Sequence, residues 1–189
     1  MLDFIVMQKQ MHKKFGFETP DKPSMIKDPD FLKMRLNFML EEMLETASAL
    51  GYMLNYEGTK LSFIKFIDKV EPEEVIDGMV DLQVVLLGLA DFFGFLNNME
   101  HPKEAPVEDD DITYFEEAFW RVWKANNQKE VCKSADESKR GSKIDLKKPA
   151  GWQKPQFKDI LEGFFGQCPE CGCNMHNHVS LKCSACEAK

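Results

Sequence analysis

Two long apolar stretches near the middle of the chain each carry several carboxylates, and no other feature constrains the fold as much. The first reads FMLEEMLETASAL and holds Glu41, Glu42 and Glu45; the second reads EEVIDGMVDLQVVLLGLADFFG and holds Glu74, Asp77 and Asp81. Residues three and four apart share a helix face, so Glu41 and Glu42 flank the line of Glu45, and Asp77 lies on the stripe of Glu74 and Asp81. Charge runs on helices usually mark a solvated face. Here the neighbours are Phe38, Met39, Met43 and Leu44 on one stretch and Val75, Ile76, Val80, Leu82, Val84 and Val85 on the other. Helices apolar nearly all round belong inside a bundle, which would turn these acids towards an interior groove. Carboxylates gathered there repel one another and lose solvation. Hard divalent cations relieve that cost, and an all-oxygen donor set selects Mg²⁺ or Mn²⁺. Such a site suits chemistry on phosphates. A di-iron bundle would need Glu-x-x-His on two helices, and His12, His101, His176 and His178 all lie outside the acidic stretches.

The charge is uneven. Residues 1–130 carry −11, residues 131–165 carry +3 and residues 166–189 balance, which accounts for the net −8. An acidic body argues against a nucleic-acid partner, because phosphate neutralisation needs a basic face. VVLLGLADFF is interrupted by Asp91 and is too short to span a membrane. The first residues lack a basic segment and a small-residue cleavage site, so no signal peptide is read there. Five of the six cysteines fall in the last 22 residues, unlike a secreted disulfide scaffold, and a reducing cytoplasm is the expected compartment.

The remaining pattern reads as helices with almost no strand alternation. An amphipathic helix over residues 2–15 stops at Gly16, and the stretch TPDKPSMIKDPD is a loop. A long helix follows over 30–52, then a short helix over 59–68. Pro72 opens the next helix with Glu71, Glu73 and Glu74 complementing its dipole, and Gly94 ends it. Asp111 or Thr113 caps a helix through ITYFEEAFWRVWKANNQ. These spans divide the chain into a helical core (1–130), a basic loop and Trp/Pro-containing arm (131–165), and a cysteine-rich end (166–189).

Five segments in this order resemble one family. MHKKFGFETPDKP is similar to an N-terminal helix, FG turn and Pro-rich loop. RLNFMLEEMLE carries Arg35, Glu41, Glu42 and Glu45 in the pattern Arg-x-x-apolar-apolar-x-Glu-Glu-x-x-Glu. IDGMVDLQVVLLGLADFFG carries Asp77 and Asp81, FEEAFWRVWKANNQK carries Asn126 and Lys129, and GWQKPQFKDIL carries Gly151, Trp152 and Pro155. Over roughly residues 4–161 the chain resembles the all-α nucleoside triphosphate pyrophosphohydrolases, which include MazG and the phosphoribosyl-ATP pyrophosphohydrolase-like proteins of bacteria and phages, and most closely the phage-type branch. The commoner family form has Glu where Gly78 stands, Tyr where Val84 stands, and His and Ser where Trp123 and Ala125 stand.

The resemblance implies an all-α helical bundle completed by dimerisation or tetramerisation. It also implies Mg²⁺-dependent cleavage of a nucleoside triphosphate, a deoxynucleotide by preference, between its α- and β-phosphates. The products are the monophosphate and pyrophosphate. By that resemblance Glu42, Glu45, Asp77 and Asp81 are metal ligands, with Glu74 the alternative to Asp77, and Glu41 or Glu42 positions the water and takes its proton. Asn126 and Lys129 bind the outer phosphates; read without the family, Lys129 is a partner for the helix C-terminal dipole. His12 contacts base or sugar, against the simpler reading of an exposed histidine on an amphipathic helix. Phe115, Phe119, Trp120 and Trp123 read as core and subunit interface. A phage-encoded copy would act in its host's cytoplasm.

The cysteine-rich end lies outside the family pattern. Cys168 and Cys171, then Cys183 and Cys186, form two Cys-x-x-Cys knuckles, a spacing that can close a tetrahedral Zn²⁺ site as a zinc ribbon. Cys173, His176 and His178 are alternative ligands. The competing functional class is a non-catalytic nucleotide- or partner-binding regulator that uses this ribbon for recruitment.

Overall fold

The computed structural model describes residues 3–100, 104–105, 112–142 and 144–161. The cysteine knuckles expected to bind zinc, Cys168, Cys171, Cys183 and Cys186, lie outside the described residues. The chain divides into two compact units, Met1–Leu96 and Asn97–Lys189, and the division falls inside the span read as one helical core.

In the first unit, α1 runs Phe4–Phe15, α2 Pro29–Ala49 and α3 Pro72–Phe92. Local chemistry sets each end. The Asp3 carboxylate accepts the amides of Ile5 and Val6 to start α1, and Gly16, at φ 71°, closes it with its amide on the His12 and Lys13 carbonyls. Asp28 accepts the amides of Asp30 and Phe31 ahead of α2. Pro72 occupies the first turn of α3 beside Glu73 and Glu74.

The main departure from expectation lies between α2 and α3. Residues 59–68 do not form a helix. Strands β1 (Tyr52–Glu57) and β2 (Lys60–Lys65) pair antiparallel, from Tyr52 opposite Lys65 to Glu57 opposite Lys60. Gly58, at φ 62°, supplies the left-handed residue of the two-residue turn. The segment is too short to stabilise a helix by itself, and its Tyr, Phe and Ile content fits a pleated ribbon. α2 consequently ends at Ala49 rather than near residue 52. Gly51 then takes φ 83°, and its carbonyl accepts the Phe66 amide at 3.0 Å, fastening the base of the hairpin. The unit is thus helix-rich with a small sheet rather than all-α.

In the second unit, Thr113 and Glu116 form a reciprocal capping box at the start of α4 (Tyr114–Asn126). The short strands β3 (Glu130–Val131) and β4 (Leu146–Lys147) pair antiparallel. The Trp152 indole donates to the Ala125 carbonyl at 2.8 Å, holding the arm against the end of α4. Glu117, fully buried, accepts from the Glu104 and Ala105 amides and from Arg121. Arg121 also forks onto the Asp159 carboxylate at 2.7 and 2.9 Å. Phe119 and Trp123 are exposed on the single chain. Among the described residues, no helix is long and apolar enough to cross a membrane.

Candidate functional site

The acidic stretches lie on α2 and α3, which pack against each other within the first unit. Their backbones come close at Gly78. This residue is buried, and a Cβ there would stand 2.5 Å from Thr46 Oγ1 and 3.3 Å from the Thr46 Cα and amide nitrogen. Glu42 lies one turn before Thr46 and Glu45 directly beside it; Asp77 precedes Gly78 and Asp81 follows by three. The Thr46 hydroxyl donates to the Glu42 carbonyl at 2.8 Å. A side chain at position 78 would press on the Thr46 hydroxyl and crowd the α2 backbone.

The crossing brings the acids of both helices into electrostatic contact. Desolvation first, then the charges of Asp81, Glu45, Glu41 and Asp77, raise the proton affinity of the Glu42 carboxyl above its ordinary value. Among the described residues, none of these five acids has an ion-pair partner. Their setting differs from the expected interior groove. Glu42 is half-buried, whereas Glu41, Glu45, Asp77 and Asp81 are exposed on the single chain, as are the neighbouring Met43, Ile76, Met79 and Val80. Among the described residues, no three His, Cys, Asp or Glu side chains are grouped closely enough to share one metal ion. The acids are coupled through their fields rather than converged on one point.

His12 is not the exposed histidine of an amphipathic helix. It is 3% exposed, with Nδ1 2.7 Å from Asp91 Oδ2 and Nε2 2.9 Å from the Gln8 amide nitrogen. The arrangement fits a neutral ring that donates through Nδ1 and accepts through Nε2. With both nitrogens engaged inside the protein, neither is left for a ligand. A glycine makes the packing possible, since a Cβ on Gly88 would meet the Arg35 guanidinium at 2.6 Å and the Gln8 amide at 3.2 Å. Arg35 donates to the Val85 carbonyl at 2.9 Å and lies over the rings of Phe38 and Phe92. Asp91 was visible in the sequence only as an acid interrupting an apolar run. Its burial at 1% exposure marks it as the partner of α1.

In the second unit, Asn126 is exposed at the end of α4, and its carbonyl accepts the Lys129 amide at 3.0 Å. Lys129 is more than a partner for the helix dipole. Its Nζ stands 5.8 Å from the Trp152 ring centroid, and Lys148 Nζ stands 4.1 Å from the same ring. In the sequence Lys148 stands out only as one of several basic residues in the 139–148 segment; a lysine four residues before a tryptophan carries no signal of its own.

No protein-family model and no curated protein sequence matches the chain.

Proposed function

We propose that the chain is a divalent-metal-dependent nucleotide pyrophosphohydrolase, cleaving a nucleoside triphosphate between its α- and β-phosphates to the monophosphate and pyrophosphate. One observation carries this reading: α2 and α3 meet where Gly78 packs on Thr46, which places Glu42 and Glu45 within a turn of the crossing on one helix and Asp77 and Asp81 within a turn of it on the other, with no cation paired to any of them among the described residues. An all-oxygen, acid-rich donor set fits Mg²⁺ or Mn²⁺. Glu42, Glu45, Asp77 and Asp81 are the side chains that would have to converge on it from their spacing on the single chain. Such an ion supplies charge neutralisation of the triphosphate and acidifies a bound water.

The chain's own side chains do the rest. Glu41 or Glu42 would position the attacking water and accept its proton. The exposed apolar side chains Ile76, Met79 and Val80 of α3 support a dimer or tetramer in which a second copy covers them. The substrate is drawn from the nucleotide pool, by preference a deoxynucleotide, in the cytoplasm. An acidic body gives a nucleic-acid partner no support. A zinc ribbon at Cys168, Cys171, Cys183 and Cys186 would stabilise a segment too short for a core of its own. The test is pyrophosphate release from a panel of ribo- and deoxynucleoside triphosphates with and without Mg²⁺. Release that requires the metal supports the proposal, and no release from any of them overturns it in favour of a binding protein.

A further inference from the structure

Beside the acidic crossing lies an apolar cavity of about 310 Å³. Met43, Ala47 and Leu50 of α2 line it as one helical stripe, Leu82 closes it from α3, and Tyr52 and Phe63 wall it from the hairpin. The register places Tyr52 opposite Lys65 and Leu54 opposite Phe63, so Tyr52 and Phe63 are diagonal neighbours on one face of the ribbon. No charged side chain lines the cavity. Its polar side-chain groups are the Tyr52 hydroxyl and the Thr46 hydroxyl, the latter already donated to the Glu42 carbonyl.

We infer that this cavity seats the nucleobase of the substrate, against the Tyr52 and Phe63 rings; the inference rests on the pyrophosphohydrolase reading. The walls and the acids occupy the same helical turns. Glu42 and Thr46 lie one turn apart on one face of α2; Thr46 lines the cavity, donates to the Glu42 carbonyl at 2.8 Å and meets α3 at Gly78, between Asp77 and Asp81. A triphosphate held at the acids therefore has its base within reach of the cavity, and a pocket of this volume accepts a base-sized ring. Aromatic and aliphatic walls grip any base by its face. With so few polar groups, the cavity reads ring size rather than the hydrogen-bonding edge, so bases of equal size are separated by no more than about 100-fold in kcat/KM. The hairpin, absent from an all-α bundle, thereby becomes the recognition element of this chain.

The experiment uses the full-length, metal-loaded protein and two variants, Phe63→Ala to remove a wall and Ala47→Leu to fill the cavity. KM and kcat are measured for a panel of nucleoside triphosphates. Inhibition by inorganic triphosphate, which has the charge but no base, and the oligomeric mass are recorded beside them. Both variants should raise the nucleotide KM about tenfold, the size expected for losing one stacking contact, while inhibition by inorganic triphosphate and the mass stay unchanged. Wild-type KM in both variants would remove the cavity from base recognition and leave the enzymatic reading standing. A fall in oligomeric mass with unchanged KM would assign the cavity to a second copy of the chain instead. If the wild type neither hydrolyses nor binds any nucleotide, both readings fall together.

Discussion

The acids of the α2–α3 crossing and the acid at the centre of the second unit meet opposite surroundings. Glu42 faces four more carboxylates, and its proton affinity is raised. Burial would likewise raise that of Glu117, but hydrogen bonds from the Ala105 amide, the Arg121 guanidinium and the Glu104 amide outweigh it and lower the affinity. Arg121 is held charged in return, by Asp159 first and then by Glu117, against its own burial. One site is closed on itself. The other keeps, among the described residues, an unbalanced negative field that works against folding. Compensated charge holds the second unit together, and the uncompensated acids are where the proposed cation would act.

The largest effect expected from this contrast is structural. Arg121→Ala leaves Glu117 buried without its cation, and removing one partner of a buried pair costs about 3–5 kcal/mol. All three tryptophans, Trp120, Trp123 and Trp152, lie in the second unit, so urea unfolding followed by tryptophan fluorescence reads this loss directly. A loss below about 1 kcal/mol would erase the distinction between the two sites. Next come the acids of the α2–α3 crossing. Glu42→Gln, Glu45→Gln or Asp81→Asn should lower turnover by at least ~10²-fold, while stability at neutral pH is unchanged or higher because repulsion is relieved. Wild-type turnover in all three at saturating metal would sink the assignment.

The smallest effect is a difference in sign with pH. The folded chain holds the Glu42 proton more tightly than the unfolded chain does, so this component of stability falls as pH rises through the interval above the ordinary glutamate range. Glu117 behaves in reverse. Its stabilisation is present above the ordinary glutamate value and is lost as pH falls through its lowered folded value. Denaturation profiles against pH for Glu42→Gln and Glu117→Gln, each subtracted from wild type, should slope in opposite directions. Slopes of the same sign would contradict the account.

What the sequence revealed follows from how local each signal is. Gly16, Pro72 with Gly94, and Thr113 act within a turn of the helix ends they set and could be read there, and apolar spacing marked α1; the caps Asp3 and Asp28 and the Glu116 half of the capping box emerge only from the structure. The acids at 41, 42, 45, 77 and 81 were legible for the same reason, since helical spacing alone puts them on shared stripes. The hairpin was not legible. Its LSFIKFI run suits a helix as well as a strand until Gly58 turns the chain back on itself. Nor was the burial of His12, whose partner Asp91 lies 79 residues away. The steric meaning of Gly78 likewise emerges only where α3 meets Thr46. Contacts between distant segments are decided by packing, and no spacing within one segment encodes them.

The central claim is that the unbalanced acids on α2 and α3 bind a divalent cation. The most direct measurement is a Mn²⁺ titration of the full-length protein, followed by the electron paramagnetic resonance signal of the free ion. The wild type and a Glu42→Gln/Asp81→Asn double variant would be titrated side by side. The account predicts saturable Mn²⁺ uptake by the wild type that is weakened at least tenfold in the double variant, a loss of about 1.4 kcal/mol or more. Equal uptake by the two proteins, or none by the wild type, would contradict it.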